Sequence, residues 1–293
     1  AAVTVRDAII HATTRLREAG IDTPHLDAMV LLAYCLGVEK EELFRTPERE
    51  LSAAVTHAFA DALDKRMRGV PVSYIQRRKE FYGRDFYVDE RVLVPRPETE
   101  TLIETALEIV DGTTRIRTVH DCCTGSGCIA ITLKAERPHL EVGASDLSPA
   151  ALAVARLNAR RLLPQGEGDL LFEERNLLEG VAKVTQGVEK VDLVTANPPY
   201  VPSREYRRLA EADWPEPAVA LDGGEDGLQV LRRLIPAAFE STAVHGYFLC
   251  EIGYDQGGAA QEIAWHSGFA SIKIVADLGG RDRLLVAGRR AQP

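Results

Sequence analysis

From about residue 112 onward, short apolar runs alternate along the chain with segments of helical period. Alternation with short connections predicts a mostly parallel sheet with helices on both faces. The predicted strands are 117–122, 141–146, 170–174, 191–196, 246–252, 271–276 and 283–287. The predicted helices are 126–136, 149–162, 226–240 and 256–267. We expect the last two strands to form an antiparallel hairpin around Gly279-Gly280 at the edge of the sheet.

The first 70 residues have a helical period throughout, which predicts a small bundle. A helix that begins at Thr23-Pro24 and ends at Gly37 is apolar nearly all round, as expected for the centre of a bundle. Ser52 is the expected N-cap of the last helix, which stops at Gly69. This region, residues 1–70, is the first of three expected parts of the chain.

Residues 71–111 are expected to connect the helical region to the α/β domain at 112–293. We predict a hairpin turn at Gly83-Arg84, an extended run over 92–97 and a helix from about Thr99 to Val110. Basic residues gather just before and within the start of this connector. They are Lys65, Arg66, Arg68, Arg77, Arg78 and Lys79, with no acidic residue between 65 and 79. We interpret them as a solvated face; the alternative is a patch that meets an RNA-bearing or acidic partner.

Composition narrows the class of protein. The formal net charge of −9 argues against a protein that binds duplex nucleic acid through its charge. No apolar run is long enough for a membrane span, and the N-terminus lacks a signal region. The first residue is Ala1 rather than Met, so we expect residues upstream of it. Five cysteines without a disulfide spacing favour the cytoplasm, and their spacing does not predict a metal site. We expect a monomer.

A glycine loop follows the first strand of the α/β region. Gly125 and Gly127 allow a ligand to approach the backbone, and the helix behind them offers free N–H groups. Asp146 ends the second strand and can accept hydrogen bonds from both hydroxyls of a ribose. This pattern predicts a nucleoside cofactor. NAD and a ligand-free tight turn are the alternatives that these residues leave open.

The tetrapeptide Asn197-Pro198-Pro199-Tyr200 follows the apolar strand at 191–196. Two prolines fix a loop there, at the sheet edge where open α/β folds bind ligands. The amide of Asn197 can donate and accept hydrogen bonds but is neither acid nor base near neutral pH. A dehydrogenase needs a proton donor near its hydride site. The tetrapeptide therefore favours methyl transfer from S-adenosylmethionine to an amide or amine nitrogen.

With these motifs, the chain resembles the PrmC/HemK family, the glutamine methyltransferases of peptide release factors. The resemblance covers almost the whole length. Beside the tetrapeptide it rests on Glu80-Phe81-Tyr82-Gly83, on Pro95-Arg96-Pro97-Glu98-Thr99-Glu100 and on Glu216-Pro217. It also includes Asp222-Gly223-Gly224-Glu225-Asp226-Gly227, Glu251-Ile252-Gly253 and the run from Asp277 to Arg283.

The resemblance implies a Rossmann-like, seven-stranded class I methyltransferase domain preceded by a helical domain that docks the release factor. It implies S-adenosylmethionine as methyl donor and the glutamine of the factor's Gly-Gly-Gln loop as acceptor. The implied cofactor contacts are Asp121, Cys123, Thr124, Gly125, Ser126, Gly127, Asp146, Asn176, Leu177 and Asn197. The implied catalytic residues are Asn197, Pro198 and Tyr200, and the implied substrate contacts are Asn197, Pro198, Pro199 and Tyr200.

We expect the side-chain oxygen of Asn197 and the carbonyl of Pro198 each to accept one N–H of the substrate amide. These bonds aim the nitrogen at the methyl group, so placement rather than a strong base is the main requirement. Tyr200 is expected to pack over the substrate; its alternative role is that of a half-buried aromatic.

Three positions depart from the family pattern. Cys123 and Arg77 stand where the family usually has glycine, and Asn176 stands where it usually has Asp. The Thr124–Ala130 stretch, preceded by cysteine, is similar to that of sister enzymes that methylate a glutamine of a large-subunit ribosomal protein. That substrate is the first alternative. A nucleic-acid adenine methyltransferase, which would need base flipping and a basic docking surface, is the second, and an inactive binding module is the third.

Overall fold

The computed structural model describes residues 2–179, 190–211 and 214–290. The chain divides into two compact units. One comprises Ala1–Arg78 with Ala210–Pro215, and the other comprises Lys79–Leu209 with Glu216–Pro293. In the described ranges, no helix combines the length and the apolar character that crossing a membrane requires.

The first unit is a helical bundle. Its helices are α1 (Val5–Glu18), α2 (Pro24–Leu36), α3 (Lys40–Arg45), α4 (Ala53–Met67) and α5 (Val72–Gln76). The prediction for α2 is confirmed, since it packs against all four other helices and buries Leu31 and Leu32 completely. The Ser52 hydroxyl caps α4 by accepting from the Val55 N–H at 3.2 Å, as predicted.

The side chain of Thr23 does not cap α2. The residue occupies the N-cap position, but its hydroxyl donates to Asp27 Oδ1 at 2.9 Å. Asp27 is buried and accepts from Arg66 Nε at 2.8 Å as well. One member of the basic stretch at 65–79 therefore serves an ion pair inside the bundle.

The second unit is an α/β domain that begins with a small hairpin. Its strands are β1 (Lys79–Phe81), β2 (Arg84–Phe86), β3 (Thr118–Cys122), β4 (Glu141–Asp146), β5 (Leu170–Glu174), β6 (Val191–Ala196), β7 (Thr242–Glu251), β8 (Ser271–Ala276) and β9 (Asp282–Gly288). Its helices are α6 (Glu100–Asp111), α7 (Cys128–Glu136), α8 (Pro149–Leu162), α9 (Ser203–Glu211, whose last two residues fall in the first unit), α10 (Ala218–Leu221), α11 (Gln229–Ser241) and α12 (Gly257–Ser267). Short 3-10 turns lie at Pro97–Thr99 and Gly166–Asp169.

Seven strands form one sheet in the order β5-β4-β3-β6-β7-β9-β8. β3 to β7 pair in parallel, whereas β9 pairs antiparallel with both β7 and β8. One face of the sheet packs against α6, α7 and α8, and the other against α11 and α12. The predicted α/β fold with seven strands, and its terminal antiparallel hairpin, are therefore confirmed.

Several element limits differ from the prediction. The hairpin turn comprises Tyr82 and Gly83, both at positive φ, rather than Gly83-Arg84. β7 starts at Thr242, directly after α11, and a register shift against β6 accommodates its early residues. The helices α5, α9 and α10 were not predicted. Two of them are too short to show a period, and α9 has no buried residue.

Candidate cofactor and acceptor site

The loop after β3 is shaped by three residues in the left-handed region. Cys123, Gly125 and Gly127 have φ angles of 58°, 54° and 84°. A Cβ atom on Gly127 would lie 2.9 Å from Ile131 Cδ1 and 3.2 Å from Ala155 Cβ, so α7 and α8 pack too closely there for a side chain. A Cβ on Gly125 would meet nothing within 4 Å, which leaves that backbone open to a ligand.

Asp121 supports this loop from below. It is fully buried, and its carboxyl accepts hydrogen bonds from Thr124 Oγ1 at 2.7 Å and from Thr195 Oγ1 at 2.8 Å. Burial raises the pKa of Asp121 to about 7 despite these two bonds. The residue therefore joins the loop to β6 rather than lining the cavity above it.

Asp146 holds the loop from the side. Its two carboxylate oxygens accept from the backbone N–H groups of Gly125 and Ser148, each at 2.9 Å. Burial raises the pKa of Asp146, whereas the backbone bonds lower it. Each oxygen keeps lone pairs free, so the carboxylate can still accept from two neighbouring hydroxyls of a ligand.

Gly125 and Asp146 line a cavity of about 370 Å³ at the carboxyl ends of the parallel strands. β3 lies between β4 and β6, so the chain reverses its direction across the sheet there, where open α/β folds bind ligands. The predicted site residues on its wall are Cys123, Thr124, Gly125, Ser126, Asp146, Asn176, Leu177, Asn197 and Pro199. Asp121, Gly127, Pro198 and Tyr200 are not on the wall.

Asn176 and Leu177 form the part of the wall that follows β5. Arg233 Nη2 donates to Asn176 Oδ1 at 3.3 Å. Leu177 is at positive φ, 54°, and packs against the core. The sequence neighbour Arg175 also lines the cavity, and sequence reasoning did not identify it or Arg233.

The Asn197–Tyr200 loop begins where β6 ends. Because Ala196 pairs with Cys122 of β3, Asn197 follows β6 at the level of Cys123 in the glycine loop. Gly223 packs against the acceptor side of this loop. A Cβ atom there would lie 2.7 Å from Tyr200 Cα and 2.9 Å from the Pro199 oxygen. Gly223 is therefore needed for the close packing of two backbones, whereas a Cβ atom on Gly224 would meet the side chain of Gln229.

Two buried glutamates were part of the recognised motifs but received no role from sequence. Glu216 accepts from the Val94 N–H at 2.9 Å and pairs with Arg96, which fixes the segment on one side of the cavity. Glu251 accepts from Thr99 Oγ1 at 2.6 Å and from the Tyr200 hydroxyl at 3.1 Å. Their partners lie over 50 residues away in sequence, so only the fold reveals these contacts.

The cysteines of the loop form neither a disulfide nor a ligand cluster in the described part of the chain. Cys122 Sγ lies 3.7 Å from Cys123 Sγ, and all five cysteines are free thiols. No group of three or more metal-type side chains converges within residues 2–179, 190–211 and 214–290.

Two family models match the chain. Residues 7–76 match the PrmC N-terminal domain, and residues 99–212 match the methyltransferase small domain. Among solved structures, the catalytic domain of hMettl16 aligns with a TM-score of 0.56 at 15% identity, covering 82% of each chain. The N-terminal domain of human METTL16 in complex with SAH aligns with a TM-score of 0.53 at 13% identity, covering 89% of this chain and 95% of that chain. These structures support the methyltransferase fold alone.

Curated relatives cover the full length. A release factor glutamine methyltransferase of Koribacter versatilis is 40% identical over 98% of this chain and 99% of its own. The enzyme of the same name from Moorella thermoacetica is 38% identical over 99% of this chain and its own whole length. That from Cereibacter sphaeroides is 41% identical over 96% and 97%. The chain therefore belongs to the release factor glutamine methyltransferase family.

Proposed function

We propose that this chain transfers a methyl group from S-adenosylmethionine to the side-chain amide nitrogen of the glutamine in the Gly-Gly-Gln loop of a peptide release factor. The observation that carries the proposal is the position of Asn197. It lies at the end of β6 on the wall of the same cavity that Gly125 and Asp146 line. Donor and acceptor groups can therefore meet in one cavity.

The residues present fit S-adenosylmethionine. Asp146 keeps acceptor capacity for two hydroxyls, and Gly125 leaves its backbone open. Thr124, Ser126, Asn176 and Leu177 complete the wall on that side. When bound, this molecule would supply a methyl group on a sulfonium, from which the neutral thioether S-adenosylhomocysteine leaves readily.

The chain's own task is to orient the acceptor. An amide nitrogen is a poor nucleophile because its lone pair is delocalised into the carbonyl. In our proposal the Asn197 side-chain oxygen and the Pro198 carbonyl accept the two N–H groups of the glutamine amide. Holding the reacting atoms at about 3–3.5 Å converts a bimolecular step into an effectively unimolecular one. Asn197 has no acid–base role in this mechanism, and the proton that the nitrogen loses on methylation passes to solvent.

An acceptor panel tests the proposal. The protein is incubated with methyl-labelled S-adenosylmethionine and, separately, with a purified release factor, a large-subunit ribosomal protein or DNA. We expect label on the release factor and none on a release factor whose loop glutamine is replaced by alanine. Label only on the ribosomal protein, or only on adenine, overturns the proposed substrate.

A further inference from the structure

Tyr200 is fixed at both its backbone and its side chain. Its carbonyl accepts from Gln256 Nε2 at 3.1 Å, and Gln256 is itself fixed by the Gly227 oxygen and the Gly253 N–H. Its hydroxyl donates to Glu251 Oε1 at 3.1 Å. Tyr200, the last residue of the Asn197–Tyr200 loop (the acceptor loop), therefore has little freedom to move relative to the end of β7.

Glu251 is the centre of this arrangement. It ends β7, is 2% exposed, and its other oxygen accepts from Thr99 Oγ1 at 2.6 Å. Thr99 in turn lines the cofactor cavity. One carboxylate thus joins a wall residue of that cavity to the acceptor loop.

Burial raises the pKa of Glu251, whereas the hydrogen bonds from Thr99 and Tyr200 and the charge of Arg283 lower it. Both neighbouring hydroxyls lie within hydrogen-bond distance of the carboxyl group. Burial and the nearby Glu251 charge raise the pKa of Tyr200, so the phenol keeps the proton that it donates. Arg283 Nη1 lies 3.4 Å from the Tyr200 hydroxyl and places a cation beside the pair.

We propose that Glu251 is a positioning residue: through Tyr200 and Thr99 it fixes the acceptor loop relative to the cofactor cavity, and so places Asn197 for the reaction. The inference rests on the proposed function, because its readout is methyl transfer. A buried carboxylate that serves stability alone would give the same contacts but would not set the rate of the folded enzyme. The two roles are separable by experiment.

The variants are Glu251→Gln, which replaces one accepting oxygen by an NH2 donor and removes the charge, and Tyr200→Phe and Thr99→Val, which each remove a hydroxyl. All three change the shape of the side chain little. The exposed Glu262→Gln and Tyr254→Phe are matched controls. S-adenosylhomocysteine binding gives the fraction of folded sites, and kcat is divided by that fraction. Misplacement of a reacting group by about 1 Å can cost about 100-fold in rate.

We expect Glu251→Gln and Tyr200→Phe each to lower kcat per binding site about 10- to 100-fold, with the KM for release factor and the affinity for S-adenosylhomocysteine near those of the unmodified protein. Both changes act on the same hydrogen bond between Tyr200 and Glu251. The loss of kcat in the double variant should therefore be much smaller than the product of the two single losses. Thr99→Val should lower kcat in the same direction.

Two results overturn the inference while the proposed function stands. One is an unchanged kcat per binding site in both Glu251→Gln and Tyr200→Phe. The other is a pair of effects that multiply fully in the double variant. Absence of transfer by the unmodified protein, with S-adenosylhomocysteine still bound, instead overturns the proposed function, and the inference with it.

Discussion

Asp121 is a buried carboxyl that joins the glycine loop to β6 through hydrogen bonds from Thr124 and Thr195. The family resemblance implied a cofactor contact for Asp121, whereas the structure places it beneath the loop. Thr195 is 74 residues further along the chain, and a local pattern does not show that contact. In contrast, Cys123 was identified as a glycine position, and its φ of 58° shows why glycine suits it.

Asp121 should make stability depend on pH. Its pKa is about 7 in the folded protein, against an ordinary value of 3.8, so only the folded state keeps this proton between those values. The contribution of Asp121 to the unfolding free energy is therefore complete below about pH 4 and is lost as the pH rises to about 7. Denaturant unfolding measures the unfolding free energy as a function of pH. Between about pH 4 and 7, its slope against pH should be more negative in the unmodified protein than in Asp121→Asn, by up to about 1.4 kcal/mol per pH unit.

The control for the change in charge is the exposed Asp255→Asn, which should keep the slope of the unmodified protein. Equal slopes of unfolding free energy against pH in Asp121→Asn and in the unmodified protein would show that Asp121 has the same pKa in the folded and unfolded states.

At the scale of elements, period and capping predicted the long helices and the strands but not α5, α9 and α10. The expected N-cap Ser52 and the stop at Gly69 predicted the limits of α4 closely, because both are signals within the local sequence. α5 has five residues and α10 four, fewer than a hydrophobic period needs to repeat. Arg77 follows α5 at a φ of 56°, which explains why the family usually has glycine at this position.

Arg77→Gly should be more stable than Arg77→Ala, since both remove the side chain and its contacts but only glycine suits the left-handed backbone. A Cβ atom in the left-handed region costs about 1–2 kcal/mol, and the greater freedom of glycine in the unfolded chain offsets part of that difference. We expect the unfolding free energy of Arg77→Gly to exceed that of Arg77→Ala by about 1 kcal/mol in denaturant melts. The matched pair at Arg68, which ends α4 with a φ of −79°, should show the reverse order. A less stable Arg77→Gly than Arg77→Ala would contradict the strain.

Glu216 should control one wall of the cavity. Its carboxylate binds the Val94 N–H and Arg96, and both Val94 and the following Pro95 line the cavity. Glu216→Ala leaves a buried N–H without its acceptor, at a cost of about 1–3 kcal/mol. Calorimetry should show weaker binding of S-adenosylhomocysteine together with the loss of stability. The exposed Glu225→Ala is the control, and unchanged affinity in Glu216→Ala would separate this wall from the cofactor.

At the scale of the whole molecule, alternation of strands and helices predicted the class of fold and seven strands, but not the strand order. β9 inserts between β7 and β8, and that order depends on pairing between segments far apart in sequence. The structure divides the chain after Arg78, whereas the change of period predicted that the helical region ends near residue 70. The period does not indicate which protein the helical region binds. The resemblance to the family implied a release factor.

If the helical region docks the release factor, a short peptide with the Gly-Gly-Gln loop should be a poor acceptor. Binding energy from parts of a substrate that do not react contributes to kcat/KM, so its loss should lower that ratio at least about 10-fold. Steady-state kinetics with the intact factor and the peptide make the comparison. Equal kcat/KM values would show that the loop alone is recognised.

The central claim is that Asn197 directs methyl transfer to a release-factor glutamine. Mass spectrometry of the Gly-Gly-Gln peptide, cut from intact factor after reaction, measures this directly. We expect one methyl group on the glutamine side chain with the unmodified protein. With Asn197→Ala we expect a rate at least about 100-fold lower, with S-adenosylhomocysteine still bound. An unmethylated glutamine with the unmodified protein, or equal methylation by Asn197→Ala, would contradict the claim.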